Sequence, residues 1–282
     1  MRQKHKQTPL QKAALFLVFV GVIFVLFVFA MRLDAMQVKI VSVEGAHVVS
    51  SQEIENLVRE KLDGYYFLLI PHSNIFFYPG SEASVDVAKH FPRLDSVKIS
   101  IGFDKVLHVV VHERVIAYSI CEGVRFSPPC FALDAEGYIF DEAPSFSGGL
   151  IPLFGYSATS TTQIGAFFLS RTELARTEAV SLELARVFKE KKYQVTFTGI
   201  RVTPDSDYEI SLSAGGHDAK LFFRAGEPVA VGRTLALLLG TPAFERDVGE
   251  KLLHLNTLDL RFGNKVYYTS VGGAATSTSF TQ

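Results

Sequence analysis

An unbroken run of nineteen uncharged residues, Ala13 to Met31, bracketed by Lys12 and Arg32, constrains this chain more than any other feature. As a helix rising about 1.5 Å per residue it is about 28 Å long, close to the ~30 Å hydrocarbon thickness of a bilayer. Val, Phe, Leu and Ile fill it on every side, so no polar stripe is left to face water. A secretory signal peptide has a shorter apolar stretch, about 7–15 residues, and a small-residue cleavage site, which Arg32-Leu33-Asp34 does not supply. The expectation is a retained transmembrane helix over residues 13–32. Arg2, Lys4, Lys6 and Lys12 precede it without an acidic residue, whereas Arg32, Asp34, Lys39 and Glu44 beyond it are mixed in sign. Lys and Arg resist translocation, so residues 1–12 read as a cytoplasmic tail and the remainder as extracytoplasmic. The protein is expected to be single-pass in the cell membrane.

About 250 residues follow the anchor, enough for two ordinary domains with real cores. A net charge of −1 offers no basic field to nucleic acid, which is not an expected partner. Twenty-four Phe and ten Tyr without a Trp, among many Val and Ile, point to a strand-rich chain. The two cysteines, Cys121 and Cys130, both lie in the exported part, and the eight residues between them include Pro128-Pro129. An oxidising exterior favours a disulfide there, two buried free thiols being the alternative.

Val38 to Gly45 reads as a short β-branched strand. Ser50 with Glu53 is an S-x-x-E helix start, and Ile54, Leu57, Val58 and Leu62 form one apolar face before Asp63-Gly64 ends the helix. Tyr65 to Gly80 is crowded with large apolar side chains. It reads as an extended segment packed under a sheet, or else Phe76, Phe77 and Tyr78 face the bilayer interface or a partner. A second helix is expected from Ala83 to His90, then a hairpin of Ser96 to Ile101 and Val106 to Glu113. His108 and His112 are four apart, but Val109-Val110-Val111 between them indicates a strand, which separates the rings by about 13 Å and leaves no zinc pair. Residues 38–114 are thus a small βααββ domain.

From Val115 the signals turn almost wholly to strands: Ile116 to Cys121, Cys130 to Leu133 and Tyr138 to Phe140, with Asp134-Ala135-Glu136-Gly137 as a hairpin turn. Asp134 and Glu136 there read as solvated turn formers, not an acid/base pair. Ser170 with Glu173 opens a long helix whose stripe is Val180, Leu184, Val187 and Phe188. Strands at Thr196–Val202, Tyr208–Ser213 and Lys220–Phe223 follow, then a helix at Pro228–Gly240, then strands at Thr257–Phe262 and Lys265–Thr269. Residues 115–269 are therefore a mostly antiparallel β domain with two helices. Residues 270–282, rich in Gly, Ala, Ser and Thr, are expected to be disordered.

The exported part holds no G-x-S-x-G, S-x-x-K or H-E-x-x-H pattern. No catalytic, cofactor-binding or metal-ligating residue is indicated, and a binding module is expected in place of an enzyme. Val111-His112-Glu113-Arg114, Ala117-Tyr118, Leu133-Asp134-Ala135-Glu136-Gly137-Tyr138-Ile139-Phe140 and Leu258-Asp259-Leu260-Arg261-Phe262 stand in an order and spacing that resemble the bacterial cell-division family FtsQ/DivIB. The likeness runs from the basic tail to Tyr268. It departs at Ile116 and Tyr118, where the family often has Pro and Trp.

The resemblance implies an α+β protein with one membrane span, a POTRA-like domain and a β domain. It implies a divisome scaffold at the division septum, linking division-ring components to the septal peptidoglycan synthesis complex. Its partners would be FtsB-like and FtsL-like coiled-coil proteins, bound through the end of the β domain. Carried onto this chain, the partner-binding residues are Arg261, Phe262, Lys265, Tyr267 and Tyr268. A last strand at a sheet edge would leave backbone groups on which a partner adds a strand; Phe262 and Tyr267 as ordinary core residues are the alternative. Glu113 and Arg114 would mark the domain joint, as an ion pair or as a contact site. A POTRA-bearing transport or assembly factor would carry repeated POTRA units or a barrel, and a membrane-anchored cell-wall enzyme would need convergent titratable groups in a cleft.

Overall fold

The computed structural model describes residues 9–122, 127–143, 153–156, 162–203, 205, 207–214, 216–224, 226–249, 252–273 and 275–280. Residues 1–8 of the expected cytoplasmic tail lie outside the described residues, as do 281–282 at the other end. The chain is α+β and divides into two compact units, Met1–Arg114 and Val115–Gln282.

In the first unit the apolar run forms α1, Pro9–Met31, with no residue buried. Among the described residues it is the one helix long and apolar enough to cross a membrane. Pro9 opens it because the first helical turn needs no proline N–H. A short 3-10 turn, Asp34–Met36, leads into β1, Ile40–Glu44. Then come α2 (Ser51–Leu62), β2 (Tyr65–Tyr66), β3 (Ile70–Pro71), α3 (Gly80–His90), β4 (Leu94–Ile101) and β5 (Val106–Glu113).

β5 is the middle strand of a three-stranded sheet, parallel to β1 and antiparallel to β4. Ile54, Val58 and Leu62 of α2 and Val87 of α3 share one core with Val41, Leu107, Val109 and Val111. Gly45 ends β1 at φ 87 with its Cβ position 2.1 Å from the Val111 carbonyl oxygen, so no larger residue fits that turn.

The segment Tyr65 to Gly80 is not the extended strip expected. β2 and β3 close a hairpin with a three-residue loop, turns carry the chain on to α3, and Phe67, Leu68 and Phe76 are exposed. The turn at Phe67-Leu68-Leu69, without Pro or Gly, folds the stretch back on itself, and Ile75 and Tyr78 beyond it pack against the core.

The second unit runs β6 (Tyr118–Glu122), β7 (Ser127–Leu133), β8 (Ile139–Ala143), β9 (Leu153–Tyr156), α4 (Arg171–Glu190), β10 (Val195–Val202), β11 (Tyr208–Ala214) and β12 (His217–Phe223). It ends with α5 (Pro228–Leu238), α6 (Pro242–Val248), β13 (Leu255–Phe262), β14 (Lys265–Ser270) and β15 (Thr276–Ser279). Among the described residues the strands form one ten-stranded sheet in the order β15-β14-β13-β12-β11-β10-β9-β6-β7-β8. It is mostly antiparallel; β6 with β9, β9 with β10 and β12 with β13 run parallel. Leu184 and Phe188 of α4, Leu235 of α5 and Phe244 of α6 share a core with Ile210, Leu212, Leu221, Leu258 and Val266.

Three expectations for this unit are corrected. A third helix, α6, joins the two foreseen: Pro242, which looks like a break, occupies the first helical turn, where proline is tolerated. β9 was missed because four residues paired parallel on both sides carry no hairpin signal. The tail expected to be disordered contributes β15, antiparallel to β14. Its composition is solvating, but alternate Thr side chains suit a strand and β14 offers it an unfilled edge.

Candidate docking site on the terminal strands

β13 and β14 bring most of the expected partner-binding residues together. Leu258 and Leu260 alternate into the core, which turns Asp259 and Arg261 to the opposite face. A turn at Gly263, φ 65, returns the chain, setting Phe262 opposite Lys265 and Asp259 opposite Tyr267.

On the face away from the helices the Arg261 guanidinium lies 5.4 Å from the Phe222 ring centroid and 5.7 Å from that of Phe262. Phe262 meets Tyr267 edge to face at 5.1 Å, and Lys265 Nζ stands 4.9 Å over the Tyr267 ring. Phe262 is 52 % exposed, so it is not a core residue of the hairpin. The patch sets cations against aromatic rings, and Arg and aromatic side chains are the residue types enriched at protein interfaces.

Arg261 is held from below. Its Nε and Nη2 reach both carboxylate oxygens of Asp259 at 2.9 and 2.7 Å, and Nη1 reaches Asp207 Oδ2 at 3.0 Å. Asp207 is buried and also accepts from Arg224 Nε at 2.9 Å. The neighbouring carboxylates push the Arg261 guanidinium pKa upward, Asp259 foremost, so its charge is permanent. A bidentate fork of this kind fixes where the positive charge points.

Tyr268 belongs elsewhere. It is 2 % exposed on the helix side, edge to face with Phe244 at 4.9 Å, and its hydroxyl donates to Asp247 at 2.8 Å. Alternation along β14 puts it opposite in direction to Tyr267, so it is a core residue and is removed from the docking set. Phe222, Asp207 and Arg224 were not foreseen. Phe222 is masked in sequence by its apolar neighbours Leu221 and Phe223, and Asp207 meets Arg261 across 54 residues.

The backbone edge expected on β14 is occupied. Lys265, Val266, Tyr267 and Tyr268 pair with Ser279, Thr278, Ser277 and Thr276 of β15, and Phe280 N–H donates to the Asn264 carbonyl at 2.8 Å. The sheet order ends at β15 on this side, so the flank open to a partner in the described structure is that of β15.

Glu113 and Arg114 have separate partners within the first unit. One Glu113 oxygen accepts the N–H groups of His47, Val48 and Val49 at 2.8–2.9 Å, and the other lies 3.6 Å from Arg93 Nε. Burial pushes the Glu113 carboxyl up, but those three N–H donors and Arg93 outweigh it and leave the pKa below the usual range. Arg114 pairs with Asp95 at 3.2 Å and donates to the Pro92 carbonyl at 3.2 Å.

Cys121 and Cys130 face each other in the β6–β7 ladder and are joined as a disulfide. Asp134 forms the turn as expected but is buried, not solvated: one oxygen accepts the N–H groups of Glu136 and Tyr138 at 3.0 and 2.9 Å. Among the described residues no group of three or more His, Cys, Asp or Glu is placed to hold a metal ion. Compared with models of known protein families and with curated proteins, the chain matches none.

Proposed function

We propose that the protein is a membrane-anchored, non-enzymatic scaffold of the FtsQ/DivIB kind, with α1 spanning the cell membrane, its N-terminus cytoplasmic and both units outside. The βααββ arrangement of the first unit supports a POTRA-like domain. The observation that carries the reading is the cation–aromatic patch on the terminal strands, with Phe262 exposed and Arg261, Lys265 and Tyr267 half-buried around it. A partner strand from an FtsB-like protein takes the place of β15 on β14, using backbone hydrogen bonds for affinity and the patch for specificity. β15 suits displacement: it is four residues of Thr and Ser, reached through Gly272-Gly273. FtsL-like proteins and the septal synthesis complex would assemble on that first contact.

Capture of a purified FtsB-like partner by the full chain in detergent tests this. Tyr267→Lys is expected to abolish capture with the fold intact by circular dichroism, and ending the chain after Gly273 to strengthen it. Undiminished capture by Tyr267→Lys would remove the site. A fluorescent fusion is expected at midcell, and a uniform envelope signal would argue against the division role.

A further inference from the structure

The hairpin between α2 and α3 combines side chains that water disfavours with backbone that bulky residues disfavour. Between Tyr66 and Ile70, Phe67 and Leu68 stand at φ 50 and 62, in the left-handed region. Phe67 is 94 % exposed and Leu68 82 %, and Phe76 nearby in sequence is 66 % exposed. A pair of large apolar side chains held out on such a tip is unexplained if the tip faces only water.

Its position supplies the explanation. Arg32, the first charge after the apolar run, donates through Nη2 to the Leu68 carbonyl at 2.6 Å and through Nε to the Leu69 carbonyl at 2.8 Å. Its guanidinium also lies 5.8 Å from the Tyr65 ring. Buried Asn74 donates to the Met31 carbonyl at 2.8 Å, and the Ile75 N–H donates to the Met36 carbonyl at 3.0 Å. The hairpin and the turn after it are therefore tied to the end of α1 and to the residues that follow it. An Arg ending a membrane helix sits at headgroup level, where aromatic and apolar side chains beside it are favoured. The occupant is continuous with the one that α1 requires.

We infer that the β2–β3 hairpin is a membrane-inserted lip: Phe67 and Leu68, with Phe76, enter the interfacial layer of the leaflet facing the exported domains and hold the first unit against the lipid surface. The contact depends on α1 lying in a bilayer and not on the division role.

The chain has no Trp, so Phe67→Trp places a single indole at the tip. In liposomes carrying the full chain, its emission is expected to shift to the blue and to fall by about half when the acyl chains are brominated. Val48→Trp, at the Glu113 end of the sheet and 65 % exposed in the parent, is expected to keep water-like, unquenched emission. Leu68→Trp gives the same readout if the first variant folds poorly. Water-like emission from the tip overturns the inference. So does blue emission that brominated lipid leaves unquenched, which would mean a protein contact, or equal quenching at Val48. Flotation of the chain with the liposomes reports on α1 separately.

Discussion

Asp207, 3 % exposed, stands between two guanidinium groups, and its carboxylate makes the patch above it possible. The hydrogen bond from Arg224, and behind it that from Arg261, hold its pKa below the usual carboxylate range although burial pushes the other way. A folded-state pKa below the unfolded one stabilises the fold in full above the ordinary Asp value, about 4, and the contribution drains as pH falls through the folded value. Glu113 has the same sign. Urea unfolding of the detergent-solubilised chain should therefore show stability falling as the pH drops below about 5. Asp207→Asn is expected to cost about 1–3 kcal/mol at neutral pH and to flatten that acid limb. Tyr118 sets its ring against Phe154 at 5.7 Å between centroids, and its hydroxyl donates to Glu178 at 3.0 Å.

At the scale of elements, α4 shows how local signals reach the core. Ser170 accepts the Glu173 N–H while Glu173 accepts the Ser170 N–H at 2.9 Å, a complete capping box. That start sets the phase in which Leu174, Val180, Leu184 and Phe188 are buried. Ser50 contributes the first half of the same device, accepting the Glu53 N–H at 3.4 Å. Thermal unfolding should register the difference: Ser170→Ala is expected to cost about 1–2 kcal/mol and Ser50→Ala about 0.5 kcal/mol. The β7–β8 turn is local in its Asp134 bonds to the Glu136 and Tyr138 N–H groups, but Gly137 at φ 84 answers to a distant neighbour, its Cβ position lying 2.1 Å from the Leu169 carbonyl oxygen. β9 and β15 are different, because each exists only through the strands beside it.

For the whole molecule, the proposed membrane insertion rests on α1, the one helix among the described residues long and apolar enough to span. Its fourteen Val, Leu, Ile and Phe between residues 15 and 29 sum to about −4 to −8 kcal/mol of insertion free energy, against about +3 kcal/mol for one central Asp. Val20→Asp alone is therefore expected to leave the chain in the carbonate-resistant membrane fraction. Asp at Val18, Val22 and Leu26 together is expected to release it. Extraction assays on the two variants decide this, and retention of the triple variant would mean that α1 is not what holds the chain.

The amino-acid order by itself determined α1, both Ser-started helices, the β4–β5 hairpin and the Asp134 turn. Each of these depends on side chains within a few residues of one another, where charge, apolar period and caps act directly. Only the tertiary structure decided that Tyr268 points into the core while Tyr267 points out, that Arg261 rests on Asp207, 54 residues away in the chain, and that Thr276–Ser279 closes the β14 edge. Pairing between strands is made by backbone groups common to every residue, so its register and its last strand leave little trace in local composition. The exposed tip at Phe67 and Leu68 shares that reason: its meaning comes from Arg32, which reaches across from the end of α1.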